Sequence, residues 1–185
     1  MKGFWMKSWV ITAVGPDRPG LVGRLTAPLQ ESDSNLADSR MINLRGQFAV
    51  LLLAAVPDEC EVSLRKALEG VAAELGLRLE IHVQEEARSS AHTVTVGVPY
   101  RLRIFAMDQP GIVHRITDVL QRASVNVEEL ETRSEPRPQS GAPLFSLELR
   151  MTVPAEVGIR ELRASLTAVC DELNCDLELV RASLT

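Results

Sequence analysis

The chain has 185 residues, a hydrophobic fraction of 45%, a charged fraction of 24% and a formal net charge of −5. These are the proportions of an ordinary soluble globular protein, and the acidic balance, with a pI near 5.3, excludes a broad basic face for direct binding to nucleic-acid phosphates. The longest apolar run, Phe48 to Val56, is too short to cross a bilayer, and Cys60, Cys170 and Cys175 lack the paired spacing of a zinc site.

Trp9 to Val14 is rich in branched and aromatic residues and stops at Gly15-Pro16, which predicts a strand. A helix is expected from about Gly20, with Leu21, Leu25 and Leu29 on one face. Pro19 suits its first turn, whereas Pro28 lies inside it and is expected to bend or shorten it. Asn35 to Asn43 reads as a second strand, Arg45-Gly46 as a turn, and Phe48 to Val56 as a third strand buried on both faces. A second helix is expected from Asp58, acting as its cap, to Leu75, with Gly76 ending it. Leu77 to Val83 alternates as a fourth strand.

The chain then writes this order again. With a shift of 91, Asp17, Pro19, Gly20, Val22, Arg24 and Thr26 meet Asp108, Pro110, Gly111, Val113, Arg115 and Thr117, and Asn35 meets Asn126. With a shift of 98, Leu64, Leu68, Val71 and Leu75 meet Leu162, Leu166, Val169 and Leu173. The difference of seven predicts an insertion, placed at the proline-rich stretch Glu135 to Pro143. The second set of elements is Arg101–Met107, Ile112–Gln121, Asn126–Arg133, Leu144–Val153, Glu156–Leu173 and Asp176–Val180, with Val94–Val98 as an extra strand or an extension of the first.

Both copies read βαββαβ. With right-handed crossovers this is an α+β class: two ferredoxin-like domains, each an antiparallel sheet with its helices on one face. The polar stretch Glu85 to His92 marks the junction. The expected boundaries are a first domain over 1–87 with a short N-terminal extension, a linker over 88–93 and a second domain over 94–185.

The repeated Asp-x-Pro-Gly turn has chemistry of its own. Glycine lets a ligand approach the backbone, and the N–H groups of Gly20, Leu21 and Val22, or Gly111, Ile112 and Val113, sit at a helix start that suits a carboxylate. Asp17 or Asp108 can hold an ammonium group, and Asn35 or Asn126 can both donate and accept. Together these groups fit the head of an amino acid. The same residues also fit a structural reading, with Asp capping the helix and Pro-Gly only making the turn.

The βαββαβ order, the turn Asp-x-Pro-Gly-(Leu/Ile)-Val and the Asn opening the second strand resemble the ACT domain, a regulatory amino-acid-binding module. The tandem covers nearly the whole chain, and two such domains with nothing else are similar to the glycine cleavage system transcriptional repressor group. The resemblance implies an effector held between ACT units by Asp17, Gly20, Leu21, Val22 and Asn35, and by Asp108, Gly111, Ile112, Val113 and Asn126. It implies a non-enzymatic regulator and a homo-oligomer, while the three unpaired cysteines predict a cytoplasmic protein with reduced, structural thiols. Acidic charge and the lack of a helix-turn-helix point to action through a DNA-binding regulatory protein rather than on DNA. An ACT interaction module that has lost its ligand and works through dimerisation is the alternative. A histidine that some family members carry two residues before the turn's Asp is replaced here by Gly15 and Ala106, and His114 has Gly23 as its counterpart, so the two turns are not equivalent.

Other chemistry finds no footing in the sequence. His82, His92 and His114 belong to different elements without a nucleophile motif, so no catalytic residue is expected. No glycine-rich phosphate loop occurs, and no metal or cofactor is expected. Phe48 and Phe145 sit among aliphatic residues rather than on a base-stacking platform. Arg24 and Arg115 are expected at the surface, solvated or paired, and Thr26 and Thr117 as packing residues.

Overall fold

A computed structural model of the chain describes residues 6–84, 97–136 and 143–182. It divides into two compact units, Met1–Ser90 and Ala91–Thr185. The linker expected over 88–93 lies outside the described residues, as do His92, the middle of the proline-rich stretch and most of the N-terminal extension.

The first unit runs β1 (Met6–Pro16), α1 (Leu21–Glu31), β2 (Asn35–Leu44), β3 (Gln47–Pro57), α2 (Glu61–Leu75) and β4 (Arg78–Gln84). The second runs β5 (Gly97–Met107), α3 (Ile112–Arg122), β6 (Asn126–Glu135), β7 (Leu144–Pro154), α4 (Ile159–Leu173) and β8 (Asp176–Arg181). Each unit has one antiparallel sheet, in the order β2-β3-β1-β4 and β6-β7-β5-β8. This is the ferredoxin-like order that two right-handed crossovers produce.

Each sheet buries one face beneath its two helices. Trp9, Ile11 and Ala13 of β1 meet Leu21, Leu25 and Leu29 of α1 and Leu64, Leu68 and Ala72 of α2 in one core. Leu102, Ile104 and Ala106 meet Ile112, Ile116, Leu120, Leu162, Leu166 and Cys170 in the other. A fully buried Leu or Ile contributes about 1.5–3 kcal/mol, so each cluster accounts for its own unit's fold. Arg65 stacks over the buried ring of Trp9, 5.2 Å from its centroid.

Several expectations need correction. The third strand is not buried on both faces: in β3, Phe48, Val50, Leu52, Ala54 and Val56 are buried while Leu51 is 45% exposed. A run of aliphatics hides the alternation that burial imposes, because both faces carry apolar side chains. Pro28 sits inside α1 without shortening it, since α1 and α3 are both 11 residues long and Pro28 turns its ring into the core. Asp58 does not cap α2; it opens a 3-10 turn, Asp58–Cys60, and the α-helix begins at Glu61. Glu156 does not begin α4 either, because Val157 N–H bonds Pro154 O at 3.0 Å and the turn delays the helix to Ile159. The sheet register also divides the inserted residues. Leu51 pairs with Thr12, and Glu148 with Arg103, which puts the third strands 97 apart and leaves one extra residue between β7 and α4. Of the two readings for the stretch before Arg101, the structure gives an extension of β5 back to Gly97.

Candidate functional site

The turn after the first strand of each unit is built on a glycine in the left-handed region, Gly20 at φ 90° and Gly111 at φ 94°. An L side chain is strained there. A Cβ added at either glycine would meet nothing within 4 Å, so the space in front of each helix start is open. The first intrahelical bonds are Arg24 N–H to Gly20 O, 3.0 Å, and Arg115 N–H to Gly111 O, 2.9 Å. The preceding N–H groups therefore have no intrahelical acceptor, and they carry the positive end of the helix dipole. Leu21 and Ile112 bury their side chains in the cores, so only their backbone can serve a ligand; Val22 is 42% exposed beside them.

Asp17 and Asp108 do not cap these helices, as neither start has a side-chain cap. They reach instead toward the second strand. Asn43 Nδ2 donates to Asp17 Oδ2, while Asn43 Oδ1 accepts Gly46 N–H at 3.2 Å and Asp17 N–H bonds Gly46 O at 2.9 Å. In the second unit Ser134 Oγ donates to Asp108 Oδ2 at 2.7 Å, and Asp108 N–H bonds Pro143 O at 2.9 Å. Each carboxylate is thus exposed but already engaged by the scaffold.

Within one unit, Asn35 does not join the turn. It pairs with Ala55, whereas Asn43, which holds Asp17, pairs with Phe48 beside Gly15 at the other end of the sheet. Eight strand residues separate them, on the order of 25 Å. Asn126, paired with Thr152, is displaced from Asp108 in the same way. The cause is the helix: α1 and α3 carry the chain back along the sheet before the second strand begins. Asn35 and Asn126 therefore do not join the turn of their own unit.

Asn43 and Ser134 are the residues that sequence reasoning missed. Asn43 had a signal in its Asn-x-x-Gly spacing to Gly46, a turn signature. Ser134 had none, because only strand register brings it opposite Asp108.

The surroundings of the turns are repeated too. Arg24 pairs with Glu74 and Arg115 with Glu172 at the surface, as expected. Arg18 and Gln109 each donate to the carbonyl at the end of the second helix, Leu75 O and Leu173 O. Thr26 and Thr117 bond their own helices at Val22 O and Val113 O, both 2.9 Å. His114 is exposed, and Gly23 opposite it in the repeat brings no side chain. A cavity of about 700 Å³ in the second unit, lined by Arg122, Ser124, Glu156 and Glu161, lies at the far end of α3 from Gly111 and is no part of the turn.

Among the described residues, no cluster of His, Cys, Asp and Glu could hold a metal, and no helix is long and apolar enough to cross a membrane. Cys60, Cys170 and Cys175 are free thiols. Burial pushes the Cys170 thiol up to about 11, which keeps it protonated and unreactive near neutral pH.

A two-helix, four-stranded unit with a glycine turn at the head of its first helix, present twice, defines a tandem of small ferredoxin-like domains. The ACT domain family model matches residues 7–83, and a second ACT domain model matches residues 100–177. The chain belongs to the ACT domain family, with two domains in tandem.

Among relatives, it is 26% identical over 165 residues to the glycine cleavage system transcriptional repressor of Escherichia coli, covering 89% of this chain and 85% of that protein. It is 36% identical over 80 residues to a UPF0237 protein of Methanopyrus kandleri, covering 42% of this chain and 86% of the relative. Among solved structures, a protein of unknown function from Galdieria sulphuraria matches with TM-score 0.83 and 27% identity, covering 97% of this chain and 100% of the other. A proposed glycine cleavage system transcriptional repressor matches with TM-score 0.71 over 97% and 99% of the two chains; at 17% identity it speaks to the fold alone. The two ACT domains and the repressor relative support a regulatory role for this chain.

Proposed function

We propose that this chain is a non-enzymatic, cytoplasmic sensor of a small amino acid, glycine or one of similar size, that controls transcription through a DNA-binding protein partner and works as a homo-oligomer. The observation that carries the reading is the pair of helix starts at Gly20 and Gly111, each without a side-chain cap and each entered from a turn with an exposed Asp carboxylate. The N–H groups suit the effector's carboxylate and the Asp its ammonium. Asn35 and Asn126 complete such a site when a neighbouring unit or copy presents them. The 26% identity to the E. coli repressor over 89% of the chain supplies the link to glycine cleavage and to gene control.

Calorimetric titration with glycine, serine, alanine and larger amino acids tests the proposal. Binding that weakens with side-chain size is expected, with Asp108→Ala lowering affinity at least about tenfold through loss of a charge-assisted contact. No heat and no melting shift with any amino acid would refute the sensor reading.

One observation favours the second reading, an interaction module without a ligand. Asp17 and Asp108 are already held by Asn43 and Ser134. Under that reading, partner capture is unchanged by amino acids.

A further inference from the structure

The two sheets differ on the face turned away from their helices. In the first unit, strand register sets Asp38, Leu53, Val10 and His82 in one row across the sheet. The next row is Arg40, Leu51, Thr12 and Glu80. Val14 and Ile42 extend the apolar surface at one end and are 46% and 58% exposed. In these two rows the central strands carry Leu53, Val10, Leu51 and Thr12, and the edge strands carry the ionisable side chains. A hollow of about 210 Å³ on this face is lined by Val10, Asp38, Arg40, Leu51 and Leu53. That is smaller than the ~300–1,000 Å³ typical of ligand pockets and suited to inserted side chains.

The equivalent rows of the second unit are Glu129, Arg150, Arg101 and Val180, then Glu131, Glu148, Arg103 and Glu178. They are laced by ion pairs: Arg101–Glu148 at 3.3 Å, Arg103–Glu148 at 3.2 Å, Arg103–Glu178 at 3.5 Å and Arg150–Glu129 at 3.2 Å. One fold thus carries a hydrated face and an apolar one in the same chain, so the apolar face is not a requirement of the fold.

We propose that the open face of the first sheet pairs with the same face of a second copy of this chain. The pattern is self-complementary. A two-fold axis parallel to the strands sets β2 over β4 of the other copy, so that Asp38 faces His82 and Arg40 faces Glu80 while Leu53 and Leu51 meet Val10 and Thr12. A two-fold axis across the strands sets Asp38 over Arg40 and Leu53 over Leu51. Each isologous arrangement brings one pair of opposite charges together at the edges, Arg40 with Glu80 or Asp38 with Arg40, and Leu51 and Leu53 together with the middle of the other face, the layout of a sheet-on-sheet contact. With four strands ~4.8 Å apart and the register shared over Ser8–Val14 at ~3.4 Å per residue, two such faces present roughly 900 Å² of flat area, and more with side-chain relief, at the low end of protein interfaces. The pairing does not depend on effector binding.

The mass of the full chain, measured by sedimentation and by light scattering across micromolar concentrations, tests this. Wild type is expected to be a dimer, and Leu51→Arg a monomer with unchanged far-UV circular dichroism and a melting temperature that no longer rises with concentration. Arg40→Glu is expected to raise the dimer Kd about tenfold through like-charge contact. A second reversal in the same chain, Glu80→Arg for the parallel axis or Asp38→Arg for the crossing one, should restore it. Glu148→Arg, at the equivalent place in the second sheet, is expected to leave the mass unchanged. A monomeric wild type would overturn the proposal. A dimer that survives Leu51→Arg would overturn it too, while leaving the homo-oligomer reading intact.

Discussion

Thr12, Leu51 and Leu53 in the first unit occupy the places that Arg103, Glu148 and Arg150 hold in the second, as strand register shows. On the helix-covered side the same two sheets are conservative: Ile11 answers to Leu102, Ala13 to Ile104, and Leu68 to Leu166, all buried. The contrast separates what folding demands from what it leaves open. Packing constrains the face beneath the helices, where a lost methylene costs cavity energy. The opposite face only has to satisfy whatever meets it, and water and apolar surface ask for different residues.

The largest test of this separation is to damage one core and leave the other. Leu68→Ala and Leu166→Ala each remove a side chain with 0% exposure, and each is expected to cost about 2–5 kcal/mol. Both tryptophans, Trp5 and Trp9, belong to the first unit. In denaturant unfolding, Leu68→Ala should move the tryptophan fluorescence transition, whereas Leu166→Ala should move only a part of the circular dichroism signal. A fluorescence midpoint that follows Leu166→Ala would mean that the units unfold as one.

A smaller effect is expected at the turns. Gly20→Ala and Gly111→Ala force a left-handed conformation on an L residue without a clash, at about 1–2 kcal/mol each. Chemical denaturation measures both, and equal costs would mark the turns as equal scaffolds. The smallest effect belongs to the charged face. Glu148→Leu removes the partner of Arg101 and Arg103, but these side chains are 41%, 36% and 43% exposed for Arg101, Arg103 and Glu148. Solvent screening holds the loss below about 1 kcal/mol, and 0.5 M salt should shrink it further. A loss well above that would show this face to be structural after all.

Much of the architecture was legible because the chain states it twice. The shift of 91 carries Asp17 onto Asp108 and Asn35 onto Asn126, and the glycine turn, helix and second strand follow in both units. What escaped the sequence was three-dimensional pairing. The run from Phe48 to Val56 shows hydrophobicity but cannot show that Leu51 and Leu53 face away from the core. Asp58 has the chemistry of a cap, yet Pro57 and a 3-10 turn take the helix start away from it. At the candidate site, the glycine turn at a helix start is local and legible in the sequence, whereas the capping reading of its aspartate fails because each carboxylate turns to the second strand. Asn43 and Ser134 reach those aspartates only through strand register, while Asn35, an obvious polar candidate, is carried to the opposite end by the intervening helix.

The connection between second and third strands is two residues long in the first unit, Arg45 and Gly46, both at positive φ as a type I′ hairpin requires. In the second unit eight residues, 136–143, separate β6 from β7. Two doublings of loop length raise the entropy of closure by roughly 1.2 kcal/mol. Pairing β6 with β7 therefore costs more chain entropy than pairing β2 with β3. Duplicated in sequence, the two halves do not pay alike for bringing the same two strands together.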